Sequence, residues 1–329
     1  MNKNYIFFVI VALLKTAPAF GQSICVFDPL GAQGDNYSML KDYALIATQW
    51  GANLELKPFS DEHLATESFK SGKCDGVAIS GIRARQFNNF AGSIDSVRGV
   101  VTEEAYRLVL DLMANPKLNA DMMSNGTEVA GISPLGFAYV ITNSKNLNTM
   151  QSFYNKRFGV LSYDKAQSVI VDKIGAIPVS LELSQIGSAF NMGRVDAVEL
   201  PALAFKPLEL GKGVGSKGAI VKFPIGSITY DLLINPEKFP MGYGQKSRLW
   251  FASEFDRQMS NVHKIESAIN KNYWIDLSES EVKNYDYVLR LARVSLTKQD
   301  VYNKKMMHIL KNVRCNLKRS ESECLLNDE

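Results

Sequence analysis

Phe69-Lys-Ser-Gly72-Lys73-Cys74-Asp75-Gly-Val-Ala-Ile-Ser80 can be laid over Phe190-Asn-Met-Gly193-Arg194-Val195-Asp196-Ala-Val-Glu199-Leu200-Pro201, with Phe, Gly, a basic residue and Asp recurring at a constant offset of 121. Upstream, Trp50-Gly51-Ala52 is echoed by Ile174-Gly175-Ala176. Each copy reads as strand, helix, Gly-Ala turn, strand, short helix, Gly turn, strand. Leu40, Tyr43, Ala44, Ala47 and Trp50 recur at three- and four-residue steps, the period of a helix face, with Asp35 placed to cap its start. Gly51 and Gly175 stand where a left-handed terminator is wanted. Alternating strands and helices predict parallel sheets with helices on both faces. Two copies, too few for a solenoid, predict an α/β protein of two lobes facing one cleft.

Composition agrees. The 329 residues are 46% apolar and 22% charged, with 37 Lys plus Arg against 34 Asp plus Glu. That is enough apolar side chain for a core and excludes a disordered chain. Residues 1–21 read as an export signal: Lys3 as the positive start, an apolar run over residues 5–14, and Ala19-Phe20-Gly21 as a small-x-small cleavage site. The competing reading, a membrane anchor, needs about 20 apolar residues, and here Lys15 ends the run. Removing residues 1–21 takes Lys3 and Lys15, leaving 35 basic against 34 acidic residues and a net charge of +1. Such a balance offers no field for nucleic acid or acidic lipid.

Export places Cys25, Cys74, Cys315 and Cys324 in an oxidising compartment, where three pairings are open. Cys315 and Cys324 lie close together in a polar tail, so a local loop is the economical pairing, leaving Cys25 with Cys74. His63, His263 and His308 are scattered without metal-ligand spacing, so no metal or cofactor is expected. Gly213-Val-Gly215-Ser-Lys-Gly218 matches the dinucleotide fingerprint formally, yet Ala219-Ile-Val-Lys-Phe-Pro224 follows and reads as a strand where the fingerprint needs a helix. With no nucleophile elbow or Walker element either, no enzyme is expected. Tyr302, Met306, Leu310, Val313 and Leu317 form an apolar stripe on a basic helix that should pack against a lobe.

Gly136-Phe-Ala-Tyr-Val-Ile-Thr-Asn-Ser-Lys145, Phe158-Gly-Val160, Leu183-Ser-Gln-Ile-Gly-Ser-Ala-Phe-Asn-Met-Gly193 and Val195-Asp196-Ala197 resemble the solute-binding proteins of TRAP-type periplasmic transporters over most of residues 25–270. The chain resembles more closely the AdeT-like subgroup, described as associated with RND-type efflux and aminoglycoside resistance. The resemblance implies a type II-like periplasmic binding fold, a small-molecule solute as ligand, and a membrane transporter or efflux subunits as partners. Family members that bind organic acids use Arg on two strands and an Asn on a third. The matching positions here are Ala138, Gly159 and Leu200. Arg157 is two residues from Gly159, which along a strand is about 7 Å, and so is no direct substitute. Simple carboxylates are therefore not the expected ligand.

In open α/β sheets ligands collect beyond the carboxyl ends of strands. That selects residues 28–35, with Gly31 and Gly34 letting the backbone approach a ligand, then Ser80-Gly-Ile-Arg83, Ser162-Tyr163-Asp164 and Glu199-Leu-Pro201. The candidate ligand-binding residues are Asp28, Asp35, Ser80, Arg83, Tyr163, Asp164 and Glu199. Tyr163 could stack on a ligand; Asp28, Asp164 and Glu199 could pair with a cationic group. Against this, Asp28 precedes a Pro and could serve a turn, and Arg83 and Arg85 could be solvated. Asp75 and Asp196 belong to the repeated scaffold. The expected organisation is residues 23–130 plus 222–265 as lobe one and 131–221 plus 266–329 as lobe two with the C-terminal helices, crossed near residues 125–132 and 221–228. The expectation is a monomeric periplasmic receptor; the alternative is a non-binding adaptor of an efflux system, with a filled cleft.

Overall fold

The computed structural model describes residues 21–329; the expected export signal, apart from Gly21, lies outside the described residues. The first repeat folds as β1 (Gln22–Phe27), α1 (Asp35–Ala47), β2 (Leu54–Phe59), α2 (Glu62–Lys70) and β3 (Gly76–Ser80). Then come α3 (Gly81–Ala84), α4 (Asn89–Gly92), α5 (Glu103–Met113), the short β4 (Met123–Ser124) and the long β5 (Thr127–Thr142). The second repeat is β6 (Arg157–Leu161), α6 (Lys165–Lys173), β7 (Ile177–Leu181), α7 (Leu183–Asn191) and β8 (Ala197–Pro201). The chain ends with α8 (Gly211–Val214), β9 (Ala219–Val221), β10 (Gly226–Ile234), α9 (Tyr243–Ser253), α10 (Phe255–Ala268), β11 (Trp274–Ile275), α11 (Glu279–Lys298) and α12 (Lys304–Leu317).

The repeat is real in three dimensions: α2 and α7, and β3 and β8, begin and end 121 residues apart. Gly72 and Gly193 terminate the two helices with φ of 72° and 66°, where a Cβ would be strained. The repeated Asp residues perform one job twice. Asp75 accepts the backbone N–H of Ser23 at 2.8 Å, and Asp196 that of Arg157 at 2.9 Å, so each ties the turn before the last strand of its repeat to the first strand. Their scaffold assignment stands on this geometry.

The strands run β2-β1-β3-β10-β5-β8-β6-β7. Within each repeat the pairing is parallel. Between them lie β10 and β5, antiparallel to each other and to their neighbours β3 and β8. The sheet is therefore mixed, with two parallel three-stranded cores joined through a central antiparallel pair. The sixteen-residue β5 is longer than the expected crossing segment. The strand passes through Pro134 and Gly136, with Gly136 at φ 91° and a register shift in β10 opposite.

Helix α1 begins differently from expectation. Its cap position is Gly34, whose backbone is extended, and Asp35 is the first helical residue with no capping bond of its own. The N–H groups of Asn36 and Tyr37 donate instead to Asp28 Oδ2 at 3.0 and 3.3 Å. A carboxylate from the preceding strand end thus satisfies the orphan donors of the first turn.

Cys25 is joined to Cys74 and Cys315 to Cys324. The first bridge links mid-β1 to the residue pair before β3; the second fastens the tail to α12. The apolar stripe of that helix is buried as expected, with Tyr302, Met306 and Leu310 at most 2% exposed. α12 lies against α4 and α5, which follow the first repeat, while α11 lies against α6 of the second. Among the described residues no helix is long and apolar enough to cross a membrane.

Candidate functional site

A cavity of about 280 Å³ opens between the two repeats at the carboxyl ends of their strands. The turn after β1 contributes Phe27, Asp28, Pro29 and Leu30; β3 and α3 contribute Ser80 and Ile82. From the second repeat come Leu161, Tyr163, Gln167, Leu183, Glu199, Leu200 and Pro201, with Leu135 of β5 and Ile228 of β10 as the floor between them. Asp35, Asn36 and Lys206 complete the rim. The wall is mostly apolar, and among the described residues no Arg and no His lines it.

Five of the seven candidate residues line this cavity: Asp28, Asp35, Ser80, Tyr163 and Glu199. Their chemical situations differ sharply. Asp28 is 4% exposed; besides Asn36 and Tyr37 it accepts the N–H of Leu30 at 2.9 Å. Burial raises its carboxyl above the ordinary range, with the backbone donors opposing. Gly34 is the room this carboxylate needs, since a Cβ there would stand 1.8 Å from Asp28 Oδ1. That corrects the expectation that Gly34 admits a ligand. Ser80 receives the Arg83 N–H and gives its own N–H to Glu62. Asp35 is exposed at the mouth, within 3.4 Å of the Asn261 amide.

Arg83 and Asp164 are placed elsewhere, in a layer of polar contacts that crosses the cleft. Arg83, 4% exposed and so not solvated, donates from Nε to Glu62 of α2 at 3.0 Å and from its terminal nitrogen to Glu182, before α7, at 2.7 Å. Tyr163 donates its hydroxyl to the same Glu62 at 2.8 Å, and its ring lies 3.5 Å from the Arg83 guanidinium carbon. The ring therefore stacks on an arginine of the opposite repeat. Nearby, Arg85 donates to Asp164 at 3.0 Å while Asp164 also caps α6 through the Ala166 N–H. Glu62 and Glu182 were missed by sequence reasoning. Asp61 and Glu182, the two helix caps, are equivalent in the repeat, but nothing local shows that one side chain would reach across to Arg83.

Glu199 stands apart. No described residue hydrogen-bonds its carboxyl or pairs with it, and its residual exposure is to the cavity it lines. Burial pushes this carboxyl up to about 8, with the Asp164 charge adding. Behind it lies a gap of about 10 Å³, the size of one water, bordered by Asp95, Asp164 and Tyr302. Burial also raises Asp95, to about 7, against hydrogen bonds from Thr229 and the charge of Arg85.

Ala138, Gly159 and Leu200, the positions that the resemblance matches to carboxylate anchors, can be placed in the structure. Ala138 is 1% exposed, locked between Pro201 and Gly226 in the sheet. At Gly159 even a Cβ would stand 3.1 Å from Val198 Cγ1. Leu200 presents an apolar side chain to the cavity. Arg157 grips Asp196 through two bonds at the far end of β6, and does not line the cavity. No group of three His, Cys, Asp or Glu among the described residues is placed to hold a metal ion. What remains is a site that encloses, desolvates and offers one unpartnered carboxyl.

The family model for "Solute-binding protein AdeT 1/2" matches residues 44–329. The chain is similar to the probable solute-binding protein AdeT1 of Acinetobacter baumannii, 43% identical over 304 residues, covering 92% of this chain and all of that one. A TRAP periplasmic solute-binding protein from Desulfovibrio salexigens, solved with orotic acid, superposes with a TM-score of 0.74 at 14% identity over 90% of this chain and 99% of that one. A counterpart from Haemophilus influenzae, solved with L-gulonate, gives 0.73 at 15% identity over 89% and 99%. These structural likenesses establish the fold: two lobes built on a mixed sheet with flanking helices.

Proposed function

The chain belongs to the AdeT solute-binding protein family, and from that premise we propose that it is a periplasmic receptor that captures one small solute in its cleft. The observation that carries the reading is the largely apolar cavity at the strand ends of both repeats, lined by acids and by no Arg among the described residues. Orotic acid and gulonate, bound by the fold neighbours, are carboxylates, and a carboxylate is best gripped by the planar fork of Arg. With Ala138, Gly159 and Leu200 at the anchor positions, a simple carboxylate meets no such fork here. Closure is supported by the polar layer: the contacts of Arg83 with Glu182 and of Tyr163 with Glu62 run from one side of the cleft to the other, so a ligand touching both sides favours the closed form. The released solute would pass to a membrane transporter or efflux partner.

An adaptor without a ligand would want its cleft filled, whereas about 280 Å³ remains open, so the receptor is preferred. Thermal-shift screening of the purified protein against amino acids, amines, aminoglycosides and organic acids tests it. A ligand that binds the folded state alone raises the melting temperature. A rise with one class supports the receptor; silence across all classes supports the adaptor.

A further inference from the structure

The number of uncommitted carboxyls in the cleft limits how many positive charges a ligand can bring. Asp28 spends its oxygens on three backbone N–H groups. Asp164 is held by Arg85 and its own helix, and Glu62 is shared by Arg83, Tyr163 and Ser80. Asp35 is out at the mouth. Only Glu199 combines an unpartnered carboxyl, among the described residues, with a place on the cavity wall.

Resting on the receptor reading above, we infer that the cleft takes an apolar molecule carrying a single amine, its ammonium against the Glu199 carboxylate and its body against Phe27, Leu135, Leu161, Leu200 and Ile228. An ammonium brought out of water needs a full countercharge close by, or its desolvation is not offset. Glu199 supplies one such charge, and the apolar wall supplies the rest of the binding energy at roughly 25 cal/mol per Å² of surface removed from water. A polycation such as an aminoglycoside brings several ammonium groups and many hydroxyls to a wall that can answer one charge. A carboxylate would meet the Asp28 carboxyl and no Arg fork on the wall, with Lys206 the one basic residue lining the cavity among the described residues.

The pairing has a proton signature. The charged groups around Glu199 are Asp95, Asp164 with its partner Arg85, and Tyr302 on one side, and Asp28, Asp35, Tyr163 and Lys206 along the cavity on the other. In that setting burial pushes the Glu199 carboxyl up to about 8, so at neutral pH the empty site favours its protonated form. Binding an ammonium ionises it, and the proton leaves to the buffer.

The test is calorimetric titration of the protein with 2-phenylethylamine, 2-phenylethanol and 3-phenylpropionate, at pH 7 in buffers of different ionisation enthalpy. The amine is expected to bind more tightly than the alcohol, with close to one proton released, and the carboxylate weakest. Glu199→Gln should weaken the amine about 10- to 100-fold, the range of a hydrogen bond to a charged group, and leave the alcohol within about twofold. If the alcohol or the carboxylate binds the wild type as tightly as the amine, or amine binding releases no proton, the amine assignment falls and the receptor stands. Should that substitution prevent folding, the proton count on the wild-type protein still decides. If none of the three binds while another compound of the thermal-shift screen does, the assignment falls and the receptor stands; silence in that screen as well contradicts both.

Discussion

A methyl group added at Gly34 would stand 1.8 Å from Asp28 Oδ1, so this glycine and this carboxylate are one device. Gly34→Ala must expel the carboxylate, stranding the N–H groups of Leu30, Asn36 and Tyr37 at the start of α1. The expected loss is about 2 kcal/mol or more of folding stability, read as a lower urea midpoint with an unchanged slope. A loss within 0.5 kcal/mol, the range of neutral surface changes, would contradict the account. Glu199 makes a second residue-scale prediction. Its folded carboxyl titrates near 8, above the ordinary value of 4.5. Between those values the folded protein holds a proton that the unfolded chain has lost, so folding stability falls as pH rises through that window. Glu199→Gln removes this contribution, while Asp95, also raised, keeps a part of the decline. The melting temperature of Glu199→Gln relative to wild type should therefore increase from pH 5 to pH 8. A constant difference would show that Glu199 is not held neutral.

At the scale of elements, α2, α3 and the turn after β6 meet through Glu62, Arg83 and Tyr163. Glu62 and Arg83 are both nearly inaccessible, and removing one partner of a buried pair costs about 3 kcal/mol. Arg83→Ala should shift the molecule toward an open form, with a larger radius of gyration in small-angle scattering and a lower melting temperature. Arg83→Lys keeps the charge without the fork and should fall between. Scattering identical to wild type for Arg83→Ala would show that these contacts do not hold the cleft. The Cys25–Cys74 bridge closes a loop of 49 residues, and in the chain-entropy account its removal by a double Ser substitution costs about 4 kcal/mol. Much of this scale was legible in the sequence. The repeat of Phe, Gly, a basic residue and Asp marked the ends of α2 and α7 and the starts of β3 and β8, because each copy of that signal lies within a dozen residues. The Glu62 contacts were not legible, because the partners are 21 and 101 residues away and nothing in a helix start announces a side chain aimed at the other repeat. β5 extends past the expected crossing at residues 125–132 because its pairing with β10 and β8 continues to Thr142, partners that lie far away in the sequence.

For the whole molecule, two repeats and a central antiparallel pair leave a cavity where their strand ends converge. The strand carboxyl ends at which the cavity opens were legible in the sequence, since they follow from the strand order, but the commitment of each acid became visible only in three dimensions. Asp28, Asp164 and Glu199 look alike as residues; one caps a helix, one is paired with Arg85, and one faces the cavity unpartnered. The most direct measurement is a crystal structure of the protein with whichever compound gives the largest thermal shift. Density is expected in the cavity, touching Phe27 or Ile82 from one repeat and Leu200 from the other, with a polar atom within hydrogen-bond distance of Glu199. A compound seated outside the cleft, or a carboxylate bound there without help from Glu199, would contradict it.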